Sequence, residues 1–166
     1  MTNKWNIKKI LKEVGIAAVT IFILSNIISY VRKPTLDSNQ LPTQTFKLID
    51  GTTYTPQVGK PLLIHFWATW CHVCSLEASN IQSASKKYEV LTIAVQSGSI
   101  ENIRAQMKKE GVTFRVVEDP QGELAEHFKV SAYPTDFIYN AQGKLQSTDV
   151  GYTTTAGLLA RMKLAE

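Results

Sequence analysis

Apolar residues fall along the chain in distinct patterns. Val14–Val31, VGIAAVTIFILSNIISYV, is a run of 18 uncharged residues, within the roughly 17–25 that a membrane-spanning helix needs. Residues 32–44, RKPTLDSNQLPTQ, lose any apolar period and carry two prolines, the composition of a linker. From residue 45 onward, short apolar runs alternate with helical segments. Phe46–Tyr54 reads as a hairpin around Asp50-Gly51. Leu62–Trp67 (LLIHFW) is a continuous apolar run suited to a strand buried on both faces, and Val90–Val95 is a second. Between them the pattern predicts a helix from just after Cys71 to about Tyr88, with Leu76, Ile81 and Ala84 toward the core. Ser99 caps a helix that Gly111 stops after Glu110. Phe114–Val117 is a strand, Asp119–Gly122 a turn and Glu123–Phe128 a short helix. Thr135–Tyr139 and Leu145–Val150 form two strands, and Thr153–Ala165 the last helix. The order ββ-βαβαβα-ββα predicts one α/β domain over 45–166, a mixed sheet with helices on both faces.

Charge changes the picture only at the N-terminus. The net charge is +4, but residues 1–34 carry six basic groups against Glu13 alone. The remainder is nearly balanced, so no basic stripe points to nucleic acid. Four lysines precede the apolar run and only Arg32 and Lys33 follow it closely. The positive-inside rule then puts residues 1–13 in the cytoplasm, 14–31 through the membrane and the domain on the far side. The expected location is the inner (cytoplasmic) membrane, single-pass, with the domain facing the periplasm or cell exterior. A cleaved signal peptide is the rival. Against it, the run exceeds the 7–15 residues of an h-region, and no A-x-A-like site follows. Either way the domain is exported to an oxidising compartment.

The chain has two cysteines, Cys71 and Cys74. A bond between them closes too small a loop to remove much unfolded-state entropy, so a purely structural disulfide explains little. One CxxC supplies two of the four ligands a structural zinc site takes, and no second CxxC exists. A redox couple needs nothing further. Cys71 stands at the predicted start of a helix, where free N–H groups and the helix dipole favour a thiolate. That makes Cys71 the nucleophile and Cys74, a turn later and more buried, the resolving cysteine.

Trp67-Ala68-Thr69-Trp70-Cys71-His72-Val73-Cys74 resembles the WA-x-WC-x-x-C signature of thioredoxin-fold proteins, and Tyr133-Pro134-Thr135 their cis-proline tripeptide. The hairpin and the extra strand–helix region are similar to the membrane-anchored TlpA/ResA/CcmG branch. Within it, VLTIAVQSG and VEDPQGELAEHFKVSAYPT look closest to the copper-sensitivity suppressors of type D. The resemblance implies a thioredoxin-like thiol–disulfide oxidoreductase of reductase or isomerase type, a cis bond before Pro134, and a peptide groove shaped by Tyr133 and Pro134. It implies no cofactor beyond the redox-active Cys71–Cys74 disulfide. The implied partners are disulfide-bearing exported proteins and a membrane electron donor of DsbD type; a monomer is expected.

His65 matches the position of thioredoxin's buried acid. It is either a proton relay to Cys74 or a core histidine bonded to a backbone carbonyl. Glu77 matches the active-site glutamate of the branch, where it tunes the thiols; the alternative is a solvated helix residue. As His⁺, His72 would stabilise the thiolate and make the disulfide more oxidising, which runs against a reductase. Trp70 flanks the sulfur. Two other classes stay open: a copper-binding or copper-delivery protein using Cys71, His72 and Cys74, and a binding module with an idle CxxC.

Overall fold

The computed structural model describes residues 7–166, apart from the side chains of residues 7, 8, 25, 26 and 28–30. Residues 1–32 and 33–166 form separate compact units. The first unit holds helix α1, Ile7–Val31, in which the apolar side chains of Leu11, Val14, Ile16, Val19, Ile21 and Ile27 are exposed. The expected cytoplasmic segment 1–13 lies partly outside the described residues. So do several side chains of the expected span 14–31. Among the described residues no helix is long and apolar enough to cross a membrane.

The second unit contains strands β1 (Phe46–Lys47), β2 (Thr53–Tyr54), β3 (Leu62–Trp67), β4 (Glu89–Val95), β5 (Arg115–Asp119), β6 (Thr135–Tyr139) and β7 (Leu145–Val150). Its helices are α2 (His72–Ser85), α3 (Ile100–Glu110), α4 (Glu123–His127) and α5 (Thr155–Leu164). β1 and β2 form the expected hairpin. The other strands make one sheet in the order β5-β4-β3-β6-β7, parallel through β5-β4-β3 and antiparallel beyond. This is the mixed sheet that the element order predicts and that the resemblance to thioredoxin-fold proteins implies.

Every residue of β3 is buried, and alternation divides them between two cores. Leu63 and Trp67 join Ile81 and Ala84 of α2, Ile103 of α3, and Leu158 and Met162 of α5. Leu62, Ile64 and Phe66 join Phe128 beside α4, Phe137 of β6 and Phe46 of the hairpin. His65 shares the face of Leu63 and Trp67 and therefore faces α2.

Two expectations are corrected. Leu76 does not face the core; it is 59% exposed. The buried stripe of α2 is Cys74, Glu77, Ala78, Ile81 and Ala84, a helical spacing that starts at the cysteine and takes in a glutamate. Residues 32–44 lack regular structure, as a linker should, but their second half is docked. The Leu41 N–H donates to the Gly143 carbonyl at 2.7 Å and the Leu145 N–H to that of Asn39 at 2.7 Å. Gln40 bridges Lys144, while Leu36 and Leu41 pack against the second core. Composition signals irregular backbone, which is present; it says nothing about whether two leucines find a surface.

Candidate active site

Cys71 is the N-cap of α2, with extended backbone (φ −88°, ψ 106°), and its Sγ accepts the Cys74 N–H at 3.1 Å. The loop before it is held from two sides. The Thr69 N–H donates to Ser97 Oγ at 3.0 Å, and Trp70 Nε1 to the Gln96 carbonyl at 3.1 Å. Gln96 itself sits at φ 45°, a conformation that side chains with a Cβ rarely adopt, held where β4 ends against this loop. The result fixes the cysteine at the helix end, where backbone donors and dipole favour negative charge on sulfur.

Cys71 and Cys74 are joined, with S–S 2.13 Å and Cα atoms 5.3 Å apart. Both are buried, Cys74 at 3% and Cys71 at 7% exposure. Their neighbours along the chain are not: His72, Val73 and Leu76 are exposed, and Trp70, also exposed, lies edge-on to Tyr133 with ring centroids 5.5 Å apart. The Tyr133–Pro134 bond is cis, and Pro134 is buried. An apolar rim thus surrounds a recessed disulfide.

Under this rim lies a polar group inside the apolar core. His65 Nδ1 and Asp136 Oδ1 are 2.7 Å apart, placed opposite each other by the β3–β6 register. Glu77, one turn past Cys74 on the same face of α2, is fully buried, and its Oε1 accepts the Thr153 N–H at 2.8 Å. Glu77 is therefore no solvated helix residue, and His65 bonds a carboxylate, not a backbone carbonyl. Asp136 went unrecognised in the sequence. Its signal was present, an aspartate inside the buried strand TDFIY, where a charge needs a partner.

Burial pushes the Glu77 carboxyl up, Asp136 pushes it further, and His65 and the Thr153 N–H oppose; the balance is about 8. For His65, burial pulls the imidazole down, but the charge and hydrogen bond of Asp136, with Glu77 adding, raise it overall.

Among the described residues, His65, Glu77 and Asp136 are a group of metal-ligating type, with one donor atom of each within 4.8 Å of the others. The 2.7 Å between His65 and Asp136 is a hydrogen bond, shorter than the roughly 3.3 Å that two donors on a tetrahedral zinc would keep. This group is also not the Cys71–His72–Cys74 set of the copper reading: both sulfurs are spent on each other.

Residues 35–148 match the AhpC/TSA family. The chain belongs to that family. A thioredoxin-like protein of Haemophilus influenzae is 30% identical over 96% of this chain and 97% of its own length. The sporulation thiol-disulfide oxidoreductase A of Bacillus subtilis is 28% identical over 68% of this chain and 73% of its own. The crystal structure of StoA from Bacillus subtilis superposes with a TM-score of 0.63 at 25% identity, covering 74% of this chain and 99% of that one. With its cysteine pair at bonding distance, this member of the AhpC/TSA family is a thioredoxin-like thiol–disulfide oxidoreductase. Proteins of this kind carry electrons on cysteines and not on an external cofactor.

Proposed function

We propose that the chain is a membrane-tethered enzyme that reduces or isomerises disulfides of exported proteins, with Cys71 as nucleophile and Cys74 as resolving cysteine. The observation that carries this reading is the placement of Cys71 Sγ at the end of α2, accepting the Cys74 N–H. In the reduced enzyme the Cys71 thiolate attacks one sulfur of a substrate disulfide, and the other substrate sulfur leaves as a thiolate. Cys74 loses its proton and attacks Cys71 in the mixed disulfide. The second substrate thiolate departs, and the enzyme keeps the Cys71–Cys74 bond. A dithiol donor, of DsbD type on the family resemblance, reverses these steps to reset the pair.

Glu77 and His65 are the groups placed to handle the Cys74 proton. Glu77 is three residues on along one buried helix face, and a carboxyl titrating near 8 exchanges protons with a thiol at neutral pH more readily than an ordinary glutamate does. Trp70, Tyr133, Val73 and Leu76 offer apolar surface to a polypeptide around the scissile disulfide. The tether rests on the 18 uncharged residues of Val14–Val31, on the lysines before them, and on the exposed apolar side chains of α1. That reading puts the domain on the periplasmic or outer face of the cytoplasmic membrane.

The test is a Cys74→Ala variant of the full chain expressed in its own cell. It should accumulate exported proteins covalently bound through Cys71, released by a reducing agent and absent from a Cys71→Ser, Cys74→Ala control. No trapped species in membrane fractions would defeat the reading. The direction of flow is decided by the reduction potential against glutathione: a value near the strongly oxidising end of the family, about −120 mV, would make the protein an oxidant instead.

A further inference from the structure

The polar group below the disulfide is short of hydrogens. Glu77 Oε2 and Asp136 Oδ2 have no hydrogen-bond partner, although the two residues are 0% and 1% exposed. Two buried carboxylates each left with an unsatisfied oxygen are costly, and the nearby charge of Asp136 disfavours ionisation of Glu77. Both faults have one remedy. A proton on Glu77 Oε2 turns that atom into a donor, Asp136 supplies an acceptor with no other donor, and one oxygen of each lies within 4.8 Å of the other. Asp136 Oδ1 meanwhile stays on the imidazole.

We propose that Glu77 and Asp136 share one proton in the disulfide form of the protein, with His65 held as an imidazolium by the other oxygen of Asp136. The group then holds two dissociable protons and no net charge, which is how it resides in an apolar core. Asp136 is a positioning residue here: it acts through Glu77. This deepens the exchange mechanism above and rests on it for its purpose. When a donor thiolate opens the disulfide at Cys71, Cys74 leaves as a thiolate and takes the proton from Glu77, giving a thiol and a carboxylate. When Cys74 attacks the mixed disulfide, the proton returns. The charged groups around the pair are few. Asp149 of β7 stands opposite Asp136 and is tied to Arg161 of α5 at 3.1 Å, with Lys33 also acting on it. From β3 comes His65 alone, and from α2 only the cysteines and Glu77 itself.

The experiment follows carboxyl protonation in the full-length oxidised protein by infrared and carboxyl-carbon NMR titration, assigning Glu77 by the signal lost in Glu77→Gln. The expected midpoint is about 8, falling by about 1–3 pH units in Asp136→Asn, which keeps the shape and removes the charge. A wild-type midpoint near the ordinary glutamate value of about 4.3 overturns the proposal. So does an unmoved midpoint in Asp136→Asn that retains its disulfide and fold. Should Asp136→Asn not fold, Glu77→Gln carries the test: its amide N–H replaces the shared proton, so it should be more stable than wild type at alkaline pH, and a less stable variant overturns the idea. A stoichiometric divalent cation in the purified protein would also overturn it. None of these readouts is enzymatic. A Glu77 midpoint near 8 in a protein that reduces no disulfide would defeat the functional reading alone, and an ordinary midpoint in an active enzyme would defeat this proposal alone.

Discussion

Cys71 owes its chemistry to one N–H and one helix end, and both are open to measurement. The thiol of the reduced protein should titrate within about 3.5–7.5, the range of cysteines at helix N-termini. Iodoacetamide alkylation rates against pH read this directly, and a midpoint near the free value of about 8.5 would remove the nucleophile from the mechanism. Glu77 gives a second prediction. Its carboxyl titrates near 4.5 when unfolded and about 8 when folded, so between those values the folded state holds a proton that the unfolded state has lost. The raised His65 value has the same sign, because its contribution is lost as pH rises through the folded value. Stability of the oxidised protein should therefore fall as pH rises from about 4.5 toward 8 and beyond. Thermal melts across that interval measure it, and Glu77→Gln should flatten most of the slope. At this scale the cysteines were legible because their spacing is a motif. Asp136 was not, because its partner His65 is 71 residues away in sequence and meets it only through the strand register.

Helix α2 shows what periodicity alone leaves ambiguous. Leu76 and Glu77 are neighbours, and hydrophobicity favours the leucine for the core. Burial instead follows the stripe set by Cys74, Ile81 and Ala84. Ile81→Ala should cost about 2–5 kcal/mol, as large-to-small core changes do, while Leu76→Ala should stay within about 0.5 kcal/mol; urea denaturation separates them. Strands β3, β6 and β7 have the expected bounds, since each is a compact apolar or alternating run closed by turn residues. Helix α3 is equally legible because its ends carry their own chemistry. Ser99 accepts the Asn102 N–H, and Gly111 closes the helix at φ 67°. Strand β5 runs on to Asp119, past its predicted end, because its backbone keeps pairing with Val95 of β4; the Asp119 carboxylate then accepts the N–H groups of Leu124 and Ala125 at the start of α4.

For the whole molecule, the boundary between the two units falls between residues 32 and 33, not at the end of the polar segment. A chain starting at Lys33 should keep the melting temperature of the full-length domain. One starting at Thr45 loses the backbone pairing of Asn39 and Leu41 with the β6–β7 turn, along with the packing of Leu36 and Leu41. It should be less stable by about 1–3 kcal/mol, within the usual range for lost core contacts. Equal melting of the two truncations would show the docked segment to be energetically idle.

Taken alone, the sequence determined the element order, the buried central strand and the redox pair at a helix start. Each of these is written in neighbouring residues, through apolar spacing, capping residues and a four-residue motif. Only the tertiary structure decided which face of α2 is buried, that residues 36–44 belong to the domain, and that His65, Glu77 and Asp136 meet below the disulfide. Those facts depend on strand register and on packing between distant segments. A histidine and two acids bury together only because the sheet and helix bring one polar atom of each within 4.8 Å of the others, and no local pattern of residues encodes that distance.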